Sequence, residues 1–318
     1  MKRILGIEFG STRIKAVLTD EKGKVLAAGS YGWENKLLPG GVWSYDLADA
    51  VKGMRAAYAE LKAGFKKATG KKLTALDALG ISGMMHGYLP FDRNGKQLAP
   101  FRTWRCTITA PAAEKLTKAF GFAIPQRWSV AHLYQRVLDD GKEVKHIDFL
   151  TTLAGWIHFQ LTGEKTMGFG EASGMFPIDA LAKDYDAKMV RTFDRLCAKK
   201  GYPWKLKDIL PKALPAGACG GHLTAAGAKL LDPTGELEPG AIAAPPEGDV
   251  QTGMIATNAV APRTGNVSAG TSVFAMVVQM VALVVAVGRE TRDERRKTEG
   301  ERLDLLSAVA GILRFGVP

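Results

Sequence analysis

A strand that ends in a small hydroxyl-bearing turn and is followed by a second strand occurs twice in this chain, and this constrains its architecture more than any other feature. Ile4-Leu5-Gly6-Ile7 is a short apolar run, Gly10-Ser11-Thr12 makes a turn, and Ile14 to Thr19 forms the next strand. The cluster Asp20-Glu21-Lys22-Gly23-Lys24 turns the chain again, and Val25-Leu26-Ala27-Ala28 completes a three-strand meander. Far downstream, the turn Pro262-Arg263-Thr264-Gly265 leads to the small-residue loop Ser268-Ala269-Gly270-Thr271-Ser272, so the pattern returns in a second segment. No short repeat of solenoid type accompanies it.

Between the two copies the period changes. Val51, Met54, Tyr58, Leu61 and Phe65 recur at three- and four-residue spacing and Gly70 ends the run, which predicts an amphipathic helix. Leu76 to Ser82 reads as an apolar strand, and Tyr88-Leu89-Pro90-Phe91 leads into the turn Asp92-Arg93-Asn94-Gly95-Lys96. Helical patterns dominate from Pro111, suited to a first helical position, to about Leu161. The Pro/Gly/Ala-rich stretch from Pro211 to Pro246 contains one short helix, Thr224 to Leu231, and a boundary is expected near Pro245-Pro246. Val273 to Val287 is apolar but for Gln279, and Arg289 to Arg302 is crowded with charges of both signs. That apolar run falls short of the ~18 residues of a membrane span and predicts a buried strand pair or core helix instead.

With 318 residues, the chain has room for two domains at roughly 100–200 residues each. Its 46% hydrophobic and 24% charged residues exclude collagen, coiled coil and wholesale disorder. Lys and Arg number 43 against 32 Asp and Glu, a net charge of +11, but the lysines are scattered, which argues for a solvated basic surface rather than a nucleic-acid site. Cys106, Cys197 and Cys219 fit no paired spacing, so neither a disulfide framework nor a zinc knuckle is expected. A reducing cytoplasmic setting follows from that, and the N-terminus lacks the pattern of an export signal.

Five places can carry chemistry. Gly10-Ser11-Thr12-Arg13 directly follows a strand bearing Glu8. Backbone N–H groups and hydroxyls in such a turn suit phosphate oxygens, and Glu8 could hold Mg²⁺ beside them, although such turns also form for backbone reasons alone. Gly270-Thr271-Ser272 could grip the same polyphosphate from the other side. Gly248-Asp249 places an acid where it could take the proton of an attacking hydroxyl, or serve as the N-cap of the next segment. His86, flanked by Met85 and Gly87 at a strand end, and Trp104-Arg105, a stacking face with a cation, could contact a polar ligand such as a sugar.

Taken together these segments resemble the FGGY carbohydrate kinases, which are built on the actin-like ATPase fold. Gly6-Ile7-Glu8-Phe9-Gly10-Ser11-Thr12 resembles the family's first phosphate motif and Gly270-Thr271-Ser272 its second. Ile81-Ser82-Gly83-Met84-Met85-His86-Gly87 is similar to its sugar-side segment, and Trp104 begins a segment of the same kind. Leu161-Thr162-Gly163-Glu164 with Glu171-Ala172-Ser173-Gly174 resembles a further family stretch, and Gly248-Asp249 matches the position of the general base.

The resemblance implies an α/β fold with an actin-like (ribonuclease H-like) N-terminal lobe at 1–246, the start of an ATP-binding lobe at 247–280 and an atypical tail at 281–318. It implies ATP-dependent phosphorylation of a sugar, nearest to the ketopentose kinases. Asp249 would be the base, Glu8 with Mg²⁺ and loops 10–13 and 270–272 would hold ATP, and Met85, His86 and Trp104 would shape the sugar pocket. Glu8 stands where the family has Asp, and Arg105, Cys106 and Ile108 stand where it commonly has Asn, Asp and Arg.

Nothing after Gln279 resembles the family's glycine-rich adenosine-binding segment, so a truncated or frameshifted chain is expected, one that keeps the sugar lobe and lacks the adenine site. The alternatives are a catalytically impaired sugar-binding remnant, another branch of the actin-like ATPases, and a nucleic-acid-binding protein. The expected partner is a small-molecule sugar, with neither nucleic acid nor membrane. Apolar surface at residues 273–287 points to homo-oligomers or poor solubility.

Overall fold

The computed structural model describes residues 2–269 and 273–278. Three strands, β1 (Ile4–Phe9), β2 (Arg13–Thr19) and β3 (Val25–Gly32), form the expected antiparallel meander. A small hairpin follows, β4 (Lys36–Leu38) and β5 (Val42–Ser44), and then the long helix α1 (Leu47–Thr69). Asp46 caps α1 by accepting from the Ala48 N–H, and Gly70 ends it in the left-handed conformation, donating to the Lys66 carbonyl.

β6 (Ala78–Gly83) then runs parallel to β1 in the centre of the sheet. After β7 (Leu89–Phe91) come α2 (Ala110–Phe120) and α3 (Ser129–Leu138). The stretch read as helical to Leu161 is broken by β8 (Phe149–Thr151), which pairs with β7 before α4 (Leu153–Thr162) begins. Three apolar residues have no period of their own, so pairing to a distant strand decides their conformation.

β9 (Thr166–Gly168), α5 (Phe169–Ser173), the β10 (Ile178–Asp179) and β11 (Asp184–Tyr185) pair, α6 (Ala187–Cys197), α7 (Leu206–Ile209) and β12 (Lys212–Leu214) build a second layer. The chain returns to the sheet with β13 (Gly221–His222), α8 (Ala225–Leu231, capped by Thr224), β14 (Ile242–Ala243) and β15 (Glu247–Gly248). The last described elements are α9 (Asp249–Ala256) and a hairpin of β16 (Gly265–Ala269) with β17 (Val273–Val277).

The central sheet runs β13-β14-β6-β1-β2-β3, with β15 also on β6. β14 pairs with Ala78 and Leu79, and β15 pairs with Ser82 and Gly83, both parallel to β6. Pro245 and Pro246 lie between them and can donate no ladder bond, so one strand line is split in two. Leu5, Ile7 and Phe9 of β1, Ile14, Ala16 and Leu18 of β2 and Leu79 and Ile81 of β6 point into one core with Met54, Tyr58, Leu61 and Phe65 of α1 and Leu153, Ile157 and Leu161 of α4. Alternate residues, among them Glu8, take the other face, as strand geometry requires. A second core gathers α2, α3 and α6 around Tyr134, Phe176 and Phe193. Among the described residues, no helix is long and apolar enough to cross a membrane.

The approach of α1 to β3 depends on Gly29. A Cβ there would fall on the Ala57 carbonyl oxygen and 2.7 Å from the Leu61 nitrogen, both backbone atoms of α1. Gly29→Ala is therefore expected to lower stability by about 2–3 kcal/mol, because a helix backbone cannot step aside as a side chain can. Gly6→Ala, whose Cβ meets nothing within 4 Å, serves as the tolerated control. Urea denaturation of the two variants checks this, and equal midpoints would show that α1 is not held at this distance.

Candidate functional site

Parallel pairing brings three carboxyl-terminal strand ends together. Glu8 of β1 and Glu247 of β15 are both in register with Ser82 of β6, and Phe9 and Gly248 are in register with Gly83. The chain leaves these ends as the 10–13 turn, the Met84–Gly87 turn and helix α9. Clefts outside the carboxyl ends of parallel strands are where ligands bind in open α/β sheets.

Asp249 is the first residue of α9, and Gly248 takes the N-cap place, so the capping alternative does not hold. Its carboxylate accepts from the Val250 N–H at 2.9 Å, and the backbone N–H of Met85 lies close enough to favour its charged form. Burial is the largest influence on it and raises its pKa. The nearby Glu8 charge raises it further, against the lowering effect of the two N–H groups. A carboxylate that takes a proton more readily than usual is a better general base.

Glu8 pairs with Lys15 across β1 and β2, Nζ to Oε2 3.1 Å, with both side chains partly exposed. Among the described residues, no group of three or more His, Cys, Asp or Glu could hold a metal by itself. The donor set suits Mg²⁺ held with a polyphosphate, since that ion commonly takes one or two carboxylates and completes its shell with phosphate oxygens and water.

The 10–13 turn has every carbonyl turned toward the protein. Gly10 O accepts from Trp33 Nε1 at 2.7 Å, Ser11 O from the Tyr45 hydroxyl at 2.6 Å, Thr12 O from the Trp33 N–H at 3.2 Å and Arg13 O from the Gly10 N–H at 3.1 Å. The N–H groups of Ser11 and Thr12 have no protein partner among the described residues. A turn built this way offers donors outward and suits an anion.

On the other side of the cleft Met85 is buried and its side chain fills the space beside Gly248. His86 has a left-handed backbone, φ 70°, and its Nδ1 lies 3.2 Å from the Gly174 carbonyl, so Nδ1 donates and Nε2 is left as an acceptor. Burial lowers the His86 pKa to about 4, so the ring is neutral at physiological pH. Trp104 is half-buried against the main core. Arg105 does not extend a stacking face with it. Its guanidinium lies 3.8 Å over the Trp43 ring and donates to Asn35 Oδ1 at 3.2 Å. Gly270, Thr271 and Ser272, the second phosphate segment, lie outside the described residues, as does the tail from 279 on.

Sequence reading missed a buried acidic cluster behind Asp249. Glu171 is fully buried, and neither of its carboxylate oxygens has a hydrogen-bond partner among the described residues. Burial holds its pKa well above the usual range, and the charges of Asp249 and Glu247 push the same way, while the nearby Thr152 hydroxyl offsets only part of this. Glu247 accepts from the Glu171 N–H at 2.9 Å, and Gln251 contributes another unpartnered oxygen. The glutamate in Glu171-Ala172-Ser173-Gly174 was the available signal, but its partners come from α9 and β15, some 80 residues on.

A mixed sheet with parallel central strands, a cleft at their carboxyl ends and a buried carboxylate beside that cleft defines the class: an α/β lobe with the actin-like ATPase fold. Residues 3–232 match the FGGY family of carbohydrate kinases, N-terminal domain, and the chain belongs to that family. It is 23% identical over 252 residues to the xylulose kinase of Bacillus subtilis strain 168, covering 74% of this chain and 46% of that protein. It is 22% identical over 291 residues to the autoinducer-2 kinase of Salmonella typhimurium strain LT2, covering 84% and 49%. The crystal structure of xylulose kinase from Rhodospirillum rubrum superimposes with a TM-score of 0.73 at 20% identity, covering 88% of this chain and 56% of that one. The chain thus spans about half the length of the relatives it matches.

The buried Glu171 generates a test of proton linkage. Its raised folded pKa means that the stability due to its neutral form is complete below the model-peptide value of 4.5 and is lost as the pH rises through the folded value. Glu171→Gln keeps a neutral group in the same space and removes that loss. The wild type is expected to lose stability relative to the variant as the pH rises from about 5 into the neutral range, a loss that includes the repulsion between ionised Glu171 and its neighbours Asp249 and Glu247. Denaturant melts across that range check it, and parallel pH profiles would refute it.

Proposed function

We propose that this chain carries the sugar-binding lobe of an ATP-dependent kinase for a small polyhydroxylated substrate, with a ketopentose as the first choice. The observation that carries the reading is the convergence of Asp249, Glu8 and the 10–13 turn at the carboxyl ends of β1, β6 and β15. Residues 1–246 form the sugar lobe in this reading, and 247–280 open the ATP lobe. The printed names of the relatives, xylulose kinase and autoinducer-2 kinase, support a sugar-like acceptor.

Asp249 accepts the proton of the sugar hydroxyl as that oxygen forms its bond to the terminal phosphorus of ATP. The bond from that phosphorus to the bridging oxygen breaks, and ADP leaves with the electron pair. Its raised pKa suits Asp249 to hold that proton. The outward N–H groups of Ser11 and Thr12, with Arg13, receive phosphate charge. Mg²⁺, when bound, would neutralise phosphate oxygens, and Glu8 is the carboxylate that would hold it, with Lys15 as the resident counter-charge of Glu8. Neutral His86 and Met85 border the sugar side, and the half-buried Trp104 supplies apolar surface for a sugar face.

A coupled ADP-release assay on the 318-residue chain with Mg·ATP and a ketopentose panel tests the reading. Asp249→Asn is expected to lower sugar-stimulated release by about a hundred- to ten-thousandfold, while sugar affinity by calorimetry changes little. Sugar binding without nucleotide binding or ADP release would favour the sugar-binding remnant. Turnover that survives in Asp249→Asn would remove Asp249 from the role of base.

A further inference from the structure

The segment between β3 and α1 touches both halves of the candidate site, and no motif in the sequence drew attention to it. Tyr45, just after β5, is 3% exposed and stacks on Trp33 with ring centroids 4.2 Å apart. Its hydroxyl is the donor to the Ser11 carbonyl described above. The same hydroxyl accepts from Asn35 Nδ2 at 3.3 Å, and Asn35 Oδ1 accepts from Arg105 Nη1 at 3.2 Å. Arg105 is steadied by the Trp43 ring, and its own turn is tied to the same residue, since Thr103 N–H donates to the Trp43 carbonyl at 3.0 Å and Cys106 Sγ approaches it at 3.4 Å.

We propose that Arg105, Asn35 and Tyr45 are positioning residues that form a one-way hydrogen-bond relay from the 103–106 turn beside Trp104 to the Ser11 carbonyl, coupling the sugar side of the cleft to its phosphate side. The direction is set by chemistry. A guanidinium has donors only, so it must head the chain; the Asn35 amide accepts through oxygen and donates through nitrogen; the tyrosine hydroxyl does both; and a backbone carbonyl can only end it. In a chain of this kind each bond polarises the next, so loss of the first link weakens the last. Packing alone does not account for it, because a phenylalanine would stack on Trp33 equally well, yet the ring carries a hydroxyl aimed at a turn carbonyl. The consequence for the turn is direct: with Ser11 O held inward, the neighbouring N–H groups stay outward. The coupling of ligands rests on the proposed function; the relay itself does not.

The test is hydrogen exchange in the unliganded 318-residue chain, read at the amides of Gly10 and Trp33, which donate to the Arg13 and Thr12 carbonyls and report on the turn. Tyr45→Phe keeps the stacked ring and removes only the hydroxyl, and is expected to speed exchange there about five- to tenfold. Arg105→Ala is expected to speed exchange two- to fivefold at the same amides, although it lies two links away, with α1 protection unchanged. The double variant is expected to match Tyr45→Phe alone, because links in series fail together, and Arg105→Lys, which keeps a donor and a cation over Trp43, should restore part of the protection.

Wild-type exchange at Gly10 and Trp33 in Arg105→Ala, or strictly multiplicative effects in the double variant, would overturn the relay. If either variant melts too low to study, Asn35→Ala breaks the middle link and must give the same pattern. In a second arm, saturating D-xylulose is expected to slow exchange at Gly10 in the wild type and not in Arg105→Ala. Failure of the wild type to bind the sugar would count against the proposed function and leave the unliganded result to decide the relay.

Discussion

Parallel pairing of β6 with β1 on one side and β15 on the other is the constraint on which the rest depends. Parallel strands end on the same side, so three chain segments that lie far apart in sequence leave the sheet together. An antiparallel neighbour in either place would have sent one of them to the opposite edge. The register is as important as the direction. A slip of one residue would turn Glu8 into the core and Phe9 out of it, which the buried face of β1 forbids. The hydrophobic packing of α1 and α4 against Leu5, Ile7, Phe9 and Ile81 thus fixes where the carboxylates of the cleft stand.

The same geometry concentrates negative charge. Glu8, Asp249, Glu247 and Glu171 influence one another, and only Glu8 is given a lysine among the described residues. Keeping every one ionised without compensation would cost more than the fold can bear, so the deepest, Glu171, stays neutral, and Asp249, touched by two N–H groups, occupies a middle position. Burial thus raises the proton affinity of both Glu171 and Asp249, and the fully buried Glu171 is held furthest from its ordinary range.

Much of this was legible in the sequence because it is local. The meander, the helix ending at Gly70 and the Thr224-capped helix announce themselves through period and punctuation, and the turn glycines mark where the strands stop. β8 was not legible, since Phe149-Leu150-Thr151 carries no period and is a strand only because β7 lies beside it. Asp249 and His86 were visible through their motifs, but the burial that tunes them was not. Glu171 and the partners of Arg105 were hidden for the same reason: a carboxylate with no counter-charge and a guanidinium laid on Trp43 are defined by residues that meet only after folding.

Met85 ties two properties together. Its backbone N–H supports the Asp249 carboxylate, and its side chain occupies the space against Gly248 at the head of α9. A new side chain at position 85 would press on Gly248 and move the amide that steadies Asp249. The volume of the side chain at position 85 and the surroundings of the Asp249 carboxylate are therefore set by one part of the chain, and the first cannot change without disturbing the second.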